Sequence, residues 1–139
     1  MGYDMYTKEE GEYFRANISG MSLLRGIMRE CGVEGSAVSL RECESNPETL
    51  EVQKIEGSLF SCFGSNDGWL ISPEECRHIA ERLEAGGFGP EGTGYRHWDI
   101  KDGEFVTVYT EFTGEDRQYA KEFADYCKKA ASLGGFYVW

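Results

Sequence analysis

A chain of 139 residues with 25 acidic and 14 basic side chains carries a formal net charge of −11 and has length for one core. That charge argues against nucleic acid or an anionic membrane surface as a direct partner, since both are densely negative themselves, and favours attraction to a basic protein surface. Hydrophobic residues at 40% and aromatics at 14% exclude a disordered polymer and predict a packed fold.

The opening, Met1 to Tyr6, has no basic stretch and no apolar run, so it reads as part of the fold rather than as a leader. Gly2 looks like a myristoylation start, but that motif needs Ser or Thr where Tyr6 stands. Residues 3–6 and 13–18 are expected to form two strands around a polar loop at 7–12. The second would carry Phe14, Ala16 and Ile18 on one face and Tyr13, Arg15 and Asn17 on the other. A helix is predicted over about residues 20–31, because Leu23, Leu24, Ile27, Met28 and Cys31 fall on one stripe, with Ser19 as its cap and Gly32 at its end. Residues 33–49 show little regularity. The run Ser45-Asn46-Pro47-Glu48 has the form of a helix start, predicting a short helix through residue 56.

Residues 58–67 read as a loop and 69–71 as a brief strand. Ser72-Pro73-Glu74-Glu75 is a strong helix start: serine as cap, proline at the first helical position, glutamate three residues after the cap. Cys76, Ile79, Ala80 and Leu83 give that helix its buried stripe, and Gly86-Gly87 stops it. Residues 86–94 hold five glycines and Pro90, which predicts an exposed, mobile loop. It lacks the Gly-Lys-Ser/Thr ending of a phosphate-binding loop. Residues 95–101 and 104–112 flank Asp102-Gly103, the pairing favoured in a two-residue type I′ hairpin. That turn sets Lys101 opposite Glu104, Ile100 opposite Phe105, Trp98 opposite Thr107 and Arg96 opposite Tyr109. Tyr95, His97, Asp99, Val106 and Val108 form the other face, and neither alternation is clean enough to say which is buried. A last helix is predicted over about residues 114–133, capped by Thr113, with Tyr119, Phe123, Cys127, Ala130 and Ala131 inward. Residues 136–139 form a terminal strand too apolar to trail in water.

The five cysteines are odd in number, scattered, and nowhere spaced Cys-x-x-Cys, so the reading is free thiols in a reducing cytoplasm, with no zinc site and no cofactor. Cys31, Cys76 and Cys127 lie on apolar helix stripes, where a thiol is usually inert. Cys76 and His78 point to opposite sides of their helix. No apolar run approaches the length of a membrane span.

Three stretches taken together carry a resemblance: Gly2-Tyr3-Asp4-Met5-Tyr6; Tyr13-Phe14-Arg15 with Asn17 and Gly20-Met21; and Ser72-Pro73-Glu74-Glu75-Cys76 with Gly134-Gly135-Phe136 and Trp139. The chain resembles a set of small uncharacterised proteins from actinobacteria and their phages. The likeness covers both ends and the middle helix but not residues 33–67. It implies an accessory, protein-binding role and carries over no functional residue.

Two places remain as candidate sites. Asp4, Tyr6, Arg15 and Asn17 lie on neighbouring strands and are placed to form a polar pocket, or an Asp–Arg pair that pins the hairpin. Arg96, His97, Trp98 and Tyr109 lie on the second hairpin, and Trp, Tyr and Arg are the side chains that most often anchor interfaces. The expectation is therefore one α+β domain, three helices on a small, mostly antiparallel sheet. Its expected function is that of a non-enzymatic protein-binding module, an accessory factor or inhibitor acting on a basic protein surface. The alternative is a small enzyme or ligand-binding protein built around Asp4, Arg15 and Asn17. A nucleic-acid mimic would need carboxylates spaced like phosphates over one face.

Overall fold

The computed structural model describes residues 2–33, 39–46, 51–57, 63 and 68–139; over 39–46, over 51–57 and at Trp98 it describes the backbone. In chain order the elements are β1 (Gly2–Thr7), β2 (Tyr13–Asn17), α1 (Ile18–Glu30), β3 (Ser39–Asn46), β4 (Glu51–Gly57), β5 (Trp69–Ile71), α2 (Pro73–Ala85), β6 (Gly94–Lys101), β7 (Glu104–Glu111), α3 (Gly114–Ala131) and β8 (Phe136–Val138). Six strands form one antiparallel sheet in the order β2-β1-β8-β5-β3-β4, and β6 and β7 pair separately. The α+β class holds, with two sheets instead of one.

Register explains how the core is assembled. Met5 stands opposite Phe14 on one side and Val138 on the other, and Val138 stands opposite Trp69. Side chains directly across a sheet share a face. Phe14, Met5, Val138 and Trp69 therefore make one continuous row, with Met5 and Val138 fully buried. The helices cover this row: Met21, Leu24, Ile27 and Met28 from α1, Ile79 and Leu83 from α2, and Phe123 and Cys127 from α3 are all buried. Phe123 is central, with ring centroids 5.6 Å from Phe14, 6.1 Å from Phe63 and 6.3 Å from Phe136. As expected, the strands at both ends of the sequence belong to the core sheet. Asp4 and Trp139 exchange two backbone hydrogen bonds of 2.7 Å.

Helix ends follow local chemistry. At α2 the Ser72 hydroxyl accepts the Glu75 N–H while the Glu75 carboxylate accepts the Ser72 N–H, and Thr113 and Asp116 repeat this box at α3. At α1 the cap is Asn17 and not Ser19: β2 runs straight into the helix, and the Asn17 carboxamide oxygen accepts the Gly20 N–H at 2.6 Å. Ile18, expected on the strand, is exposed at the helix start. Gly32, at φ +78°, ends α1 in a Schellman turn, its N–H bonded to Arg29 and that of Val33 to Met28. The last helix closes at Ala131 rather than Leu133.

Two further expectations change. The predicted helix over 45–56 is absent: β3 and β4 form a ladder in which Asn46 faces Glu51, and residues 47–50 lie outside the described residues. Because Cys43 also pairs with Trp69, this segment extends the main sheet, and long-range pairing overrides the local Ser-Asn-Pro-Glu signal. Of the loop expected at 58–67, only Phe63 is described, and it is fully buried. The glycine-rich segment 86–94 is not wholly exposed. Gly89 and Gly94 are buried, the Thr93 carbonyl accepts the Phe112 N–H at 2.9 Å, and a Cβ on Gly89 would lie 2.9 Å from the Phe112 ring.

Candidate functional site

The β1–β2 register places Asp4 opposite Arg15 and Tyr6 opposite Tyr13, on the face turned away from the buried row. The Tyr13 hydroxyl donates to the Asp4 carboxylate, which pushes the phenol pKa up, and Arg15 Nε lies 3.9 Å from the same oxygen. The Tyr6 and Tyr13 rings pack 5.0 Å apart. Asn17 is drawn elsewhere, since its side-chain oxygen caps α1. An open hollow adjoins Arg15 and is lined by Asn17, Gly20, Leu23 and Tyr119, not by Asp4 or Tyr6. The structure thus joins Asp4, Tyr6, Arg15 and Tyr13 in a surface cluster and separates Asn17 from it. An exposed pair of this kind contributes at most about 1 kcal/mol, and its visible effect is to tie the hairpin together.

The β6–β7 hairpin has the register expected of its turn, with φ of +52° at Asp102 and +78° at Gly103. Packing separates its two faces. On the inner face Tyr95, His97, Val106 and Val108 are half-buried. Tyr95 closes on α1 at Gly26, where an added Cβ would sit 2.5 Å from the Tyr95 Cβ, so only glycine admits this approach. Phe112 stacks on Tyr95 at 5.7 Å, the His97 ring lies 5.0 Å from Tyr95, and His97 Nε2 is 2.8 Å from the Thr110 hydroxyl. His97 therefore belongs to the inner face of the hairpin and Arg96 and Tyr109 to the outer one. The outer face holds Arg96, Ile100, Phe105, Thr107 and Tyr109, and its apolar members are strongly exposed: Phe105 by 74%, Ile100 by 62% and Tyr109 by 56%. Trp98 pairs through its backbone with Thr107.

A third feature was not singled out in the sequence. Ser22, Arg25 and Arg29 recur at helical spacing on α1 and flank Gly26, forming a polar stripe beside the core stripe. With Arg96 and His97 they line a hollow of about 230 Å³ at the hairpin root. An adjoining hollow of about 290 Å³ is lined by Arg29, Glu30, Tyr95, Arg96 and Tyr109. Arg25 Nε is buried there and has no hydrogen-bond partner among the described residues. The available sequence signal was two arginines four residues apart around a helical glycine, in a chain poor in basic residues.

Cys31, Cys76 and Cys127 are free and buried. Burial pushes the Cys76 thiol up to about 12 and raises that of Cys127, so both are neutral core groups, as expected of stripe cysteines. Cys62 and the Cys43 side chain lie outside the described residues. Among the described residues no three His, Cys, Asp or Glu side chains are grouped to hold a metal ion, and no helix is long and apolar enough to cross a membrane. Comparisons with models of protein families, with curated proteins and with solved structures found no match.

Proposed function

We propose that this chain is a non-enzymatic protein-binding module whose contact surface is the outer face of β6–β7. The occupant is a partner protein offering an apolar surface rimmed by basic groups. The observation that carries the reading is the row of Ile100, Phe105 and Tyr109, each more than half exposed on a hairpin whose inner face is packed. Such side chains have no structural reason to crowd together in water, and removing them from it yields roughly 25 cal/mol per Å². The hairpin carries Asp99, Asp102, Glu104 and Glu111 against Arg96 and Lys101, an acidic excess in keeping with the charge of −11 that favours a basic rim on the partner. The Asp-Gly turn holds the strands in one register, so little ordering entropy is lost on docking. The pocket reading around Asp4, Arg15 and Asn17 is less well supported, because Asn17 is occupied as a helix cap.

The test begins with affinity capture by the intact chain and by a Phe105→Ser, Ile100→Ser variant that melts like the parent. The captured protein is then titrated with both over a salt series. At least about a 30-fold loss in the variant, with affinity falling as salt rises, supports the reading. Equal affinity for both chains removes the hairpin face from the argument.

A further inference from the structure

We infer that the cleft between α1 and β6 is a binding site for a phosphate group, held by Arg25, Arg29 and Arg96, with the rest of a small phosphate monoester lying against Tyr95 and Tyr109. This does not rest on the hairpin's outer face being an interface.

The chain has 25 acidic and 14 basic residues, yet folding brings three arginines to one cleft. Like charges gathered in a partly enclosed space repel one another unless a counter-charge joins them. Glu30 lines the adjoining hollow and offsets part of this charge, and the carboxyl end of α1 favours Arg29 in its last turn. Arg29 and His97 also make interactions of their own, so the weight falls on Arg25 and Arg96.

Arg25 Nε is buried in the wall of the cleft and bonds to nothing among the described residues. Buried polar groups are nearly always satisfied, and one left open beside a hollow marks where an acceptor belongs. Guanidinium groups are planar forks that engage oxyanions in pairs of hydrogen bonds. Three forks offer more donors than a carboxylate can accept, whereas a phosphate monoester presents three oxygens and close to two negative charges. The first hollow holds the basic groups and the second adds two phenol rings, so a phosphate in one leaves an organic substituent in the other.

The experiment is calorimetric titration of the full chain with inorganic phosphate and with phenyl phosphate, ionic strength held constant with sodium chloride. Saturable 1:1 binding of both is expected, tighter for phenyl phosphate. It should weaken at least tenfold in Arg25→Gln, Arg96→Gln, and stay unchanged in Arg15→Gln and in Phe105→Ser. Arg25→Lys keeps the charge but loses the fork and should fall between. If the double variant fails to fold, Arg25→Gln alone decides, read by chemical shift changes at the Gly26 and Gly94 amides. The inference is overturned by absence of saturable binding up to about 10 mM, by equal binding in the arginine variants, or by benzoate binding as tightly as phenyl phosphate. The hairpin-face reading fails separately, through the Phe105 variant and a protein partner.

Discussion

The strands of the main sheet and those of the hairpin invert the usual relation between length and security. β5 and β8 are three residues each, yet Trp69, Ile71, Phe136 and Val138 are buried, because each strand has a neighbour on both sides and helices over one face. β6 and β7 are eight residues each, yet they have only one another, and a two-stranded sheet alone is marginal in water. The hairpin persists through its turn and through Tyr95 on Gly26. What differs is the number of neighbours per residue. Where it is high, side chains are committed to the core; where it is low, they are free for recognition.

If this contrast is right, perturbations should divide sharply between the regions. The largest effect is expected from removing residues 136–139. Phe136 and Val138 are fully buried, each contributes about 1.5–3 kcal/mol, and β1 and β5 would lose their shared partner. The truncated chain should show no cooperative melt by circular dichroism; an unchanged melting temperature would mean that β8 is dispensable.

Alkaline pH should also strike the core. Cys76 titrates near 12 and Cys127 well above its ordinary value, whereas in the unfolded chain both thiols ionise near 9. The unfolded state thus releases protons first, and stability falls as pH rises between about 9 and 12, by about 1.4 kcal/mol per pH unit for each thiol. Urea midpoints at pH 8 and pH 10.5 would measure the fall, which should shrink in a Cys76→Ala, Cys127→Ala variant.

Gly26→Ala probes the seam between the regions. Its methyl would intrude on Tyr95, and about 1–3 kcal/mol of overpacking is expected, with hydrogen exchange rising first at the β6 amides. Faster exchange in β1 and β8 instead would show that the hairpin is not separately held. The smallest effect should come from Phe105→Ser. With 74% of that residue already exposed, stability should stay within about 0.5 kcal/mol of the parent in denaturant unfolding.

How much of this could be read from the chain depends on how local each signal is. The hairpin was legible down to its register, since a two-residue Asp-Gly turn leaves the pairing no freedom. The start of α2 was legible for the same reason: cap, proline and reciprocal glutamate lie within four residues. The strand β4 was not, because Val52 and Ile55 show no alternation and the decision is made by its pairing with β3, which Trp69 of β5 in turn joins to the main sheet. Which hairpin face is buried was settled by a glycine on α1, some seventy positions before Tyr95, and no pattern within the hairpin contains that information. The arginine cleft escaped notice because Arg25 and Arg29 meet Arg96 only in space. Asp4 and Arg15 were found because they face each other across one short turn.

The position of β8 has a consequence for how the chain is made. During synthesis residues 2–17 emerge early as β1 and β2, but the strand that pairs with the other edge of β1 is residues 136–138. At ordinary elongation rates the interval is on the order of ten seconds, during which β1 presents open N–H and C=O groups to its surroundings. A fold so closed by a distant strand has many contacts of high sequence separation, which slows its assembly further. The sheet therefore cannot form strand by strand as the ribosome moves; it must wait, and then close from its middle.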